Sequence, residues 1–258
     1  MKGIRKRVSR DNMRKGVYVL PNLFTTASML CGFISMISAW EGAFQQAATF
    51  IVVAMILDGL DGRIARVTKT ESKFGAEYDS LADVIAFGVA PAVMVYKWSL
   101  EAYGNWGIMA SFLLLACGAL RLARFNVQIG VIDSRFFNGL PIPMQAVFTA
   151  VGVLLYYKLG FTGTFPHPFV FTTVIFLALL MVSSIKFYSF KDLNFFARKP
   201  LMSLVLIIIT LAIIILEPQI TLFVFGCGYV ASGPIYLFIK LARKYILKQE
   251  EVTQSLHN

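Results

Sequence analysis

Eight apolar runs of about twenty residues, joined by short links, constrain this chain more than any other feature. They lie at about residues 18–40, 43–66, 78–98, 106–126, 142–160, 168–187, 200–216 and 219–241. A helix of about 20 apolar residues crosses the hydrocarbon of a bilayer and satisfies its own backbone groups there. The 258 residues are 57% hydrophobic and 15% charged, more apolar than a soluble core of this length can absorb. The spacing predicts an all-α, polytopic membrane helix bundle. Gly104-Asn105, the stretch from Gly139 to Pro143, Pro166-His167-Pro168, Pro200 and Pro218 all fall in links or first turns.

The cations give that bundle a direction. With the N-terminus in the cytosol, 22 of the 24 lysines and arginines fall on the inner side or at inner helix ends, leaving Lys97 and Lys158 outside. Such asymmetry predicts an even number of spans, with both termini cytosolic in a cell (inner) membrane. It also accounts for the net charge of +10 without a nucleic-acid partner, because the cations sit between apolar runs rather than on one soluble face. Residues 1–17 read as a basic juxtamembrane segment of the mature protein, since the run that follows is long and contains Pro21-Asn22. Residues 242–258 read as a cytosolic tail. Cys31, Cys117 and Cys227 are scattered within apolar runs and read as small core residues, while His167 and His257 are isolated and carry no assigned role.

Within the second and third runs stands Asp58-Gly59-Leu60-Asp61-Gly62-Arg63-Ile64-Ala65-Arg66, followed after eight residues by Gly75, Asp79 and Asp83. On helices, positions 58, 61, 62, 65 and 66 share one face, and 75, 79 and 83 share another. Four carboxylates at the inner ends of spanning helices are costly unless cations lie between them. Oxygen ligands without histidine or thiol favour Mg²⁺ or Mn²⁺, and a pair of such ions is a recurrent clamp for phosphate displacement. Gly62 leaves room for a phosphate to approach, Arg66 adds a positive fork, and Gly75 removes bulk at the start of the third span. Simple pairing with Arg63, Arg66 and Lys69 does not require this spacing, and a cation pathway in a transporter does not require the glycines.

The pattern D-x2-D-G-x2-A-R-x8-G-x3-D-x3-D resembles the signature of the CDP-alcohol phosphatidyltransferase family, matched at every fixed position. The resemblance implies a homodimer with a six-helix catalytic core over residues 18–187, to which residues 188–241 add a cytosolic link and two spans. It implies that Asp58, Asp61 and Asp79 are metal ligands, and that Asp83 both approaches a metal and serves as general base. Gly62, Arg66 and Ser72 would contact the CDP part of a liponucleotide, although a serine at position 72 could equally cap a helix. Asn22, near the start of the first span, could touch the cytidine or close the helix start.

The Pro21-Asn22 entry, the run Arg121-Leu122-Ala123-Arg124-Phe125-Asn126, the Asn138-Gly139-Leu140-Pro141 turn and Ser189-Phe190-Lys191 resemble bacterial phosphatidylserine synthases. That resemblance implies phosphatidyl transfer from CDP-diacylglycerol to L-serine, with CMP released. Arg121 and Arg124 are then candidates for the serine carboxylate, or are ordinary positive-inside residues. Asn126 could orient the amino acid or cap a helix. Glycerol 3-phosphate or an inositol phosphate is the competing acceptor, and a divalent-cation transporter or a non-catalytic scaffold lies further away.

Overall fold

The computed structural model describes residues 2–68, 72–128, 136–188 and 200–257. Among these are eight helices: α1 (Lys2–Trp40), α2 (Phe44–Thr68), α3 (Lys73–Tyr103), α4 (Asn105–Gln128), α5 (Ile142–Lys158), α6 (Pro168–Val182), α7 (Pro200–Leu216) and α8 (Pro218–His257). Each corresponds to one of the eight apolar runs. Pro21–Trp40, Lys73–Tyr103, Asn105–Gln128 and Pro218–Lys240 are long and apolar enough to cross a bilayer, and Pro168–Val182 and Leu201–Leu216 are shorter apolar helices. The protein is an all-α membrane-embedded bundle. The basic start and the polar tail continue α1 and α8 as helix, from Lys2 and to His257 respectively.

The sixth element departs from the expected 168–187. Its helix stops at Val182, where Ser183 turns to an extended backbone (ψ 159°) and its hydroxyl donates to the Leu180 carbonyl at 2.8 Å. Residues Lys186–Tyr188 then form a strand, β2, antiparallel to β1 (Phe136–Asn138), with Phe137 opposite Phe187. Gly139, at φ +78°, turns the chain so that its amide donates to the Ile185 carbonyl at 2.8 Å. The expected Asn138-Gly139-Leu140-Pro141 turn thus joins the end of α6. The Ser189-Phe190-Lys191 segment lies outside the described residues.

Helix α3 exceeds the expected 78–98 and contains wide π-helical turns at Val84–Val89 and Tyr96–Leu100. The first begins directly after Asp83. A π turn shifts the helix phase, so the aspartate face does not continue deeper into the bundle and small residues take its place. Ala82, Ala86, Gly88 and Ala90 are buried within this one chain. Ala86 meets α1 so closely that a Cβ built at Gly32 would lie 2.6 Å from its Cα. Gly32→Ala should therefore wedge α1 from α3 and lower the thermal midpoint in detergent, by the equivalent of about 1–3 kcal/mol. An unchanged midpoint would show that the two helices do not depend on this approach.

At the far end of α3, Trp98 packs edge-on to Tyr156 with centroids 5.3 Å apart, and the Ser99 hydroxyl donates to the Phe165 carbonyl at 2.6 Å. That end carries packing. The polar chemistry gathers at the opposite end.

Candidate active site

Four helices bring their polar residues to one end of the bundle: α1 with Asn22 and Thr25, the last part of α2, the first part of α3, and the last turns of α4. Helices α1 and α2 run side by side, held by the Ser28 hydroxyl donating to the Ala54 carbonyl at 3.0 Å. One turn nearer the end, the Thr25 hydroxyl donates to Asp61 Oδ2 at 2.7 Å. Asp61 is only 5% exposed, and Thr25 only 4%. A buried carboxylate is thus fixed by a hydroxyl from a neighbouring helix, which fits the rule that buried polar groups find partners.

Carboxylate oxygens of Asp58, Asp61 and Asp79 lie within 4.8 Å of one another. Two unit charges at 4.8 Å repel by about 3 kcal/mol at an effective dielectric of about 20. Three such pairs sum to about 10 kcal/mol, comparable to the whole net stability of a typical domain. A divalent cation at their centre reverses the sign of that energy. Asp79 supplies a further indication, because its Oδ1 is buried and lacks a hydrogen-bond partner in the structure. An orphaned carboxylate oxygen inside a cluster of hard donors is what a metal ligand looks like before the metal is added. The trio can hold a metal ion.

Asp83 stands outside the trio. It lies one α-helical turn deeper on α3 than Asp79, with Asp58 and Asp79 among its charged neighbours.

The glycines and their neighbours divide into two settings. A Cβ at Gly62 would meet nothing within 4 Å, so this face of α2 is open beside the carboxylates. Arg66 Nε donates to the Gly62 carbonyl at 2.8 Å, which lays the guanidinium along the same face. Gly75 is enclosed: a Cβ there would lie 3.1 Å from Ser72 Oγ and 3.4 Å from Asn22 Oδ1. Ser72 is the N-cap of α3, its hydroxyl accepting from the Gly75 amide at 2.9 Å. The capping alternative for Ser72 is therefore realised. Asn22 lies well inside α1, which begins at Lys2, so it does not close a helix start. Instead it faces the start of α3 beside Gly75.

The α4 residues separate as well. Arg124 donates to the carbonyls of Asn138 (2.7 Å), Val182 (3.0 Å), Ser183 (3.1 Å) and Met181 (3.4 Å). Its guanidinium caps the C-terminus of α6 and fastens β1, where the helix leaves carbonyls without intrahelical partners. This bonding gives Arg124 a structural task. Arg124→Ala should lower the thermal midpoint by the equivalent of about 2 kcal/mol, since several carbonyls lose a charged donor. Retention of wild-type stability would show the cap to be dispensable.

Arg121, one turn earlier, is 6% exposed, lies over the Phe125 ring at 5.3 Å, and has Asp83 among its charged neighbours. Such burial is not the setting of an ordinary exposed interfacial cation. Asn126 Nδ2 donates to Ser80 Oγ at 2.9 Å, tying α4 to α3 next to Asp79. It is neither a helix cap nor free, because α4 continues to Gln128. Thr25 was legible only as a hydroxyl on an apolar helix. Nothing in its local sequence signals a partner 36 residues away.

Residues 18–182 match the CDP-alcohol phosphatidyltransferase family profile. The chain belongs to the CDP-alcohol phosphatidyltransferase family. It is 40% identical over 228 residues to the CDP-diacylglycerol--serine O-phosphatidyltransferase of Helicobacter pylori (strain ATCC 700392 / 26695), covering 87% of this chain and 94% of that one. It is 33% identical to the Bacillus subtilis (strain 168) protein of the same name over 178 residues, 67% of this chain and 91% of the other. The archaetidylserine synthase of Methanothermobacter thermautotrophicus is 35% identical over 170 residues, 65% of this chain and 69% of that protein. As a CDP-alcohol phosphatidyltransferase, this chain has its matched segment end with α6. Helices α7 and α8 lie beyond it.

Proposed function

We propose that this protein transfers the phosphatidyl group of CDP-diacylglycerol to the hydroxyl of L-serine, giving phosphatidylserine and CMP. The observation that carries the chemistry is the convergence of Asp58, Asp61 and Asp79 on one point, with the open face of Gly62 beside it and Asp83 adjoining. The relatives' names carry the acceptor: all three contain serine, while the lipid differs between the bacterial and archaeal proteins. Residues 18–187 form the catalytic core in this reading, and residues 188–241 add a link and two spans.

The site suits an amphiphile whose diphosphate reaches the inner face of the membrane while its acyl chains stay in lipid. Asp58, Asp61, Asp79 and, at one edge, Asp83 would hold two divalent ions, Mg²⁺ or Mn²⁺. When bound, these neutralise the diphosphate and stabilise charge on the departing CMP. The open face of Gly62 and the guanidinium of Arg66 receive the phosphates, and Asn22, Ser72 and Gly75 border the nucleotide. Asp83 accepts the serine hydroxyl proton as that oxygen attacks the diacylglycerol-bearing phosphorus and the phosphoanhydride bond to CMP breaks. Arg121, buried one turn from the end-capping Arg124, receives the serine carboxylate, and Asn126 holds α4 against α3 so that the two stay in register.

The protein works as a multi-pass homodimer in the cell (inner) membrane, with both termini and the site facing the cytosol. The cation asymmetry along the sequence supports that orientation. Competition among serine, glycerol 3-phosphate and an inositol phosphate, with the lipid product identified by mass, tests the acceptor. Phosphatidylserine is expected to dominate. Phosphatidylglycerol phosphate as the main product would exclude serine.

A further inference from the structure

We propose that Thr26 of α1 and Tyr78 of α3 are positioning residues for the carboxylate trio: the bond between their hydroxyls sets the distance from the α2 carboxylates to Asp79. This rests on the reading above that a divalent cation sits among Asp58, Asp61 and Asp79.

Asp58 and Asp61 lie on α2, whereas Asp79 lies on α3. The Lys73–Asp83 part of α3 packs mainly on α1, and α2 packs along α1 as well, so α1 is the frame that relates the two. Two consecutive hydroxyls of α1 make the connections. Thr25 donates to Asp61 Oδ2 at 2.7 Å. Thr26, about 100° further round the helix, lies 2.8 Å from the Tyr78 hydroxyl. The direction of that bond follows from the hydrogens available. Thr26 has one and gives it to the Asn22 carbonyl at 2.7 Å, so Tyr78 donates to Thr26. The Tyr78 ring is steadied by Phe74, one turn earlier, with centroids 6.0 Å apart and planes 8° from parallel.

Asp79 is thereby tethered from both sides. Tyr78, before it, is bonded to α1, and Ser80, after it, accepts from Asn126 of α4 at 2.9 Å. Neither tether uses the carboxylate of Asp79, whose Oδ1 is buried without a partner. With no cation between them, the three carboxylates repel and push α2 and α3 apart. A connection through α1 opposes that spreading and keeps the oxygens at a spacing one ion can bridge. The ion then binds more tightly, because less ordering is left for it to impose. A contact that merely glued α1 to α3 would stabilise the protein equally with and without metal.

The test measures Mn²⁺ binding to the full-length protein in detergent, from the loss of the free ion's paramagnetic resonance signal, together with the thermal midpoint in the absence of metal. Tyr78→Phe keeps the ring on Phe74 and removes only the donated hydrogen bond. The half-saturating Mn²⁺ concentration should rise about fivefold, the size of one net hydrogen bond. The metal-free midpoint should move little, because relief of repulsion offsets the lost bond. Thr26→Val should weaken Mn²⁺ binding to the same extent, and the double variant should bind no more weakly than either single one, since both remove one interaction. Thr26→Ser keeps a hydroxyl and should stay close to the wild type. Unchanged Mn²⁺ binding in Tyr78→Phe or in Thr26→Val, whatever their midpoints, or additive losses in the double variant, would overturn the positioning role while leaving the metal site intact. Wild-type protein that binds no Mn²⁺ would overturn both.

Discussion

Asp83→Asn should release CMP about a thousandfold more slowly than the wild type at saturating serine and CDP-diacylglycerol, because a positioned general base is worth about 10² to 10⁴ in rate. The substitution keeps the side chain's size and shape. It leaves in place the three carboxylates whose oxygens lie within 4.8 Å of one another. The thermal midpoint and the elution volume in detergent should therefore stay near the wild-type values. Asparagine cannot accept a proton from an attacking hydroxyl, so the loss should fall on turnover. Full turnover in this variant would remove Asp83 from the role of base.

Chelation of divalent ions should abolish activity, and Mg²⁺ or Mn²⁺ should restore it. A more discriminating readout needs no turnover. If Asp58, Asp61 and Asp79 bind a cation, Mn²⁺ should raise the thermal midpoint of the wild-type protein by mass action, in proportion to the logarithm of its concentration above Kd. Asp79→Asn takes a charge from the cluster and changes the chemistry of the group whose oxygen is buried without a partner. That variant should show little or no Mn²⁺-dependent rise and at least a hundredfold loss of CMP release, on the scale of the charge stabilisation a bound metal provides. Without added metal it should be no less stable than the wild type, because repulsion within the trio falls. A full Mn²⁺ response in Asp79→Asn would place the ion elsewhere.

Much of this arrangement was legible in the sequence for physical reasons. A spanning helix needs a long apolar run, so the eight runs map onto eight helices. Carboxylates at intervals of three and four residues share a helix face, so Asp58 with Asp61 and Asp79 with Asp83 could be placed before any tertiary contact was known. What the sequence leaves open is decided by partners far along the chain. Arg121 and Arg124 are two cations one turn apart, and nothing local shows that Arg124 meets the end of α6, where the Ser183 carbonyl stands 59 residues away. The end of α6 was misplaced for a similar reason. Residues 183–187 are compatible with continued helix, but Lys186–Tyr188 pairs with Phe136–Asn138, and that pairing has no local signature. Ser72 was ambiguous because the same hydroxyl can cap a helix or face a ligand, and only the position of the Gly75 amide resolves its bonding.

The most direct test of phosphatidyl transfer to serine is the stoichiometry of products from the purified protein with CDP-diacylglycerol, serine and Mn²⁺. One CMP released for each phosphatidylserine formed, with neither product when serine or the metal is withheld, is the predicted result. Undiminished CMP release without serine, or serine-independent formation of another phospholipid, would contradict it.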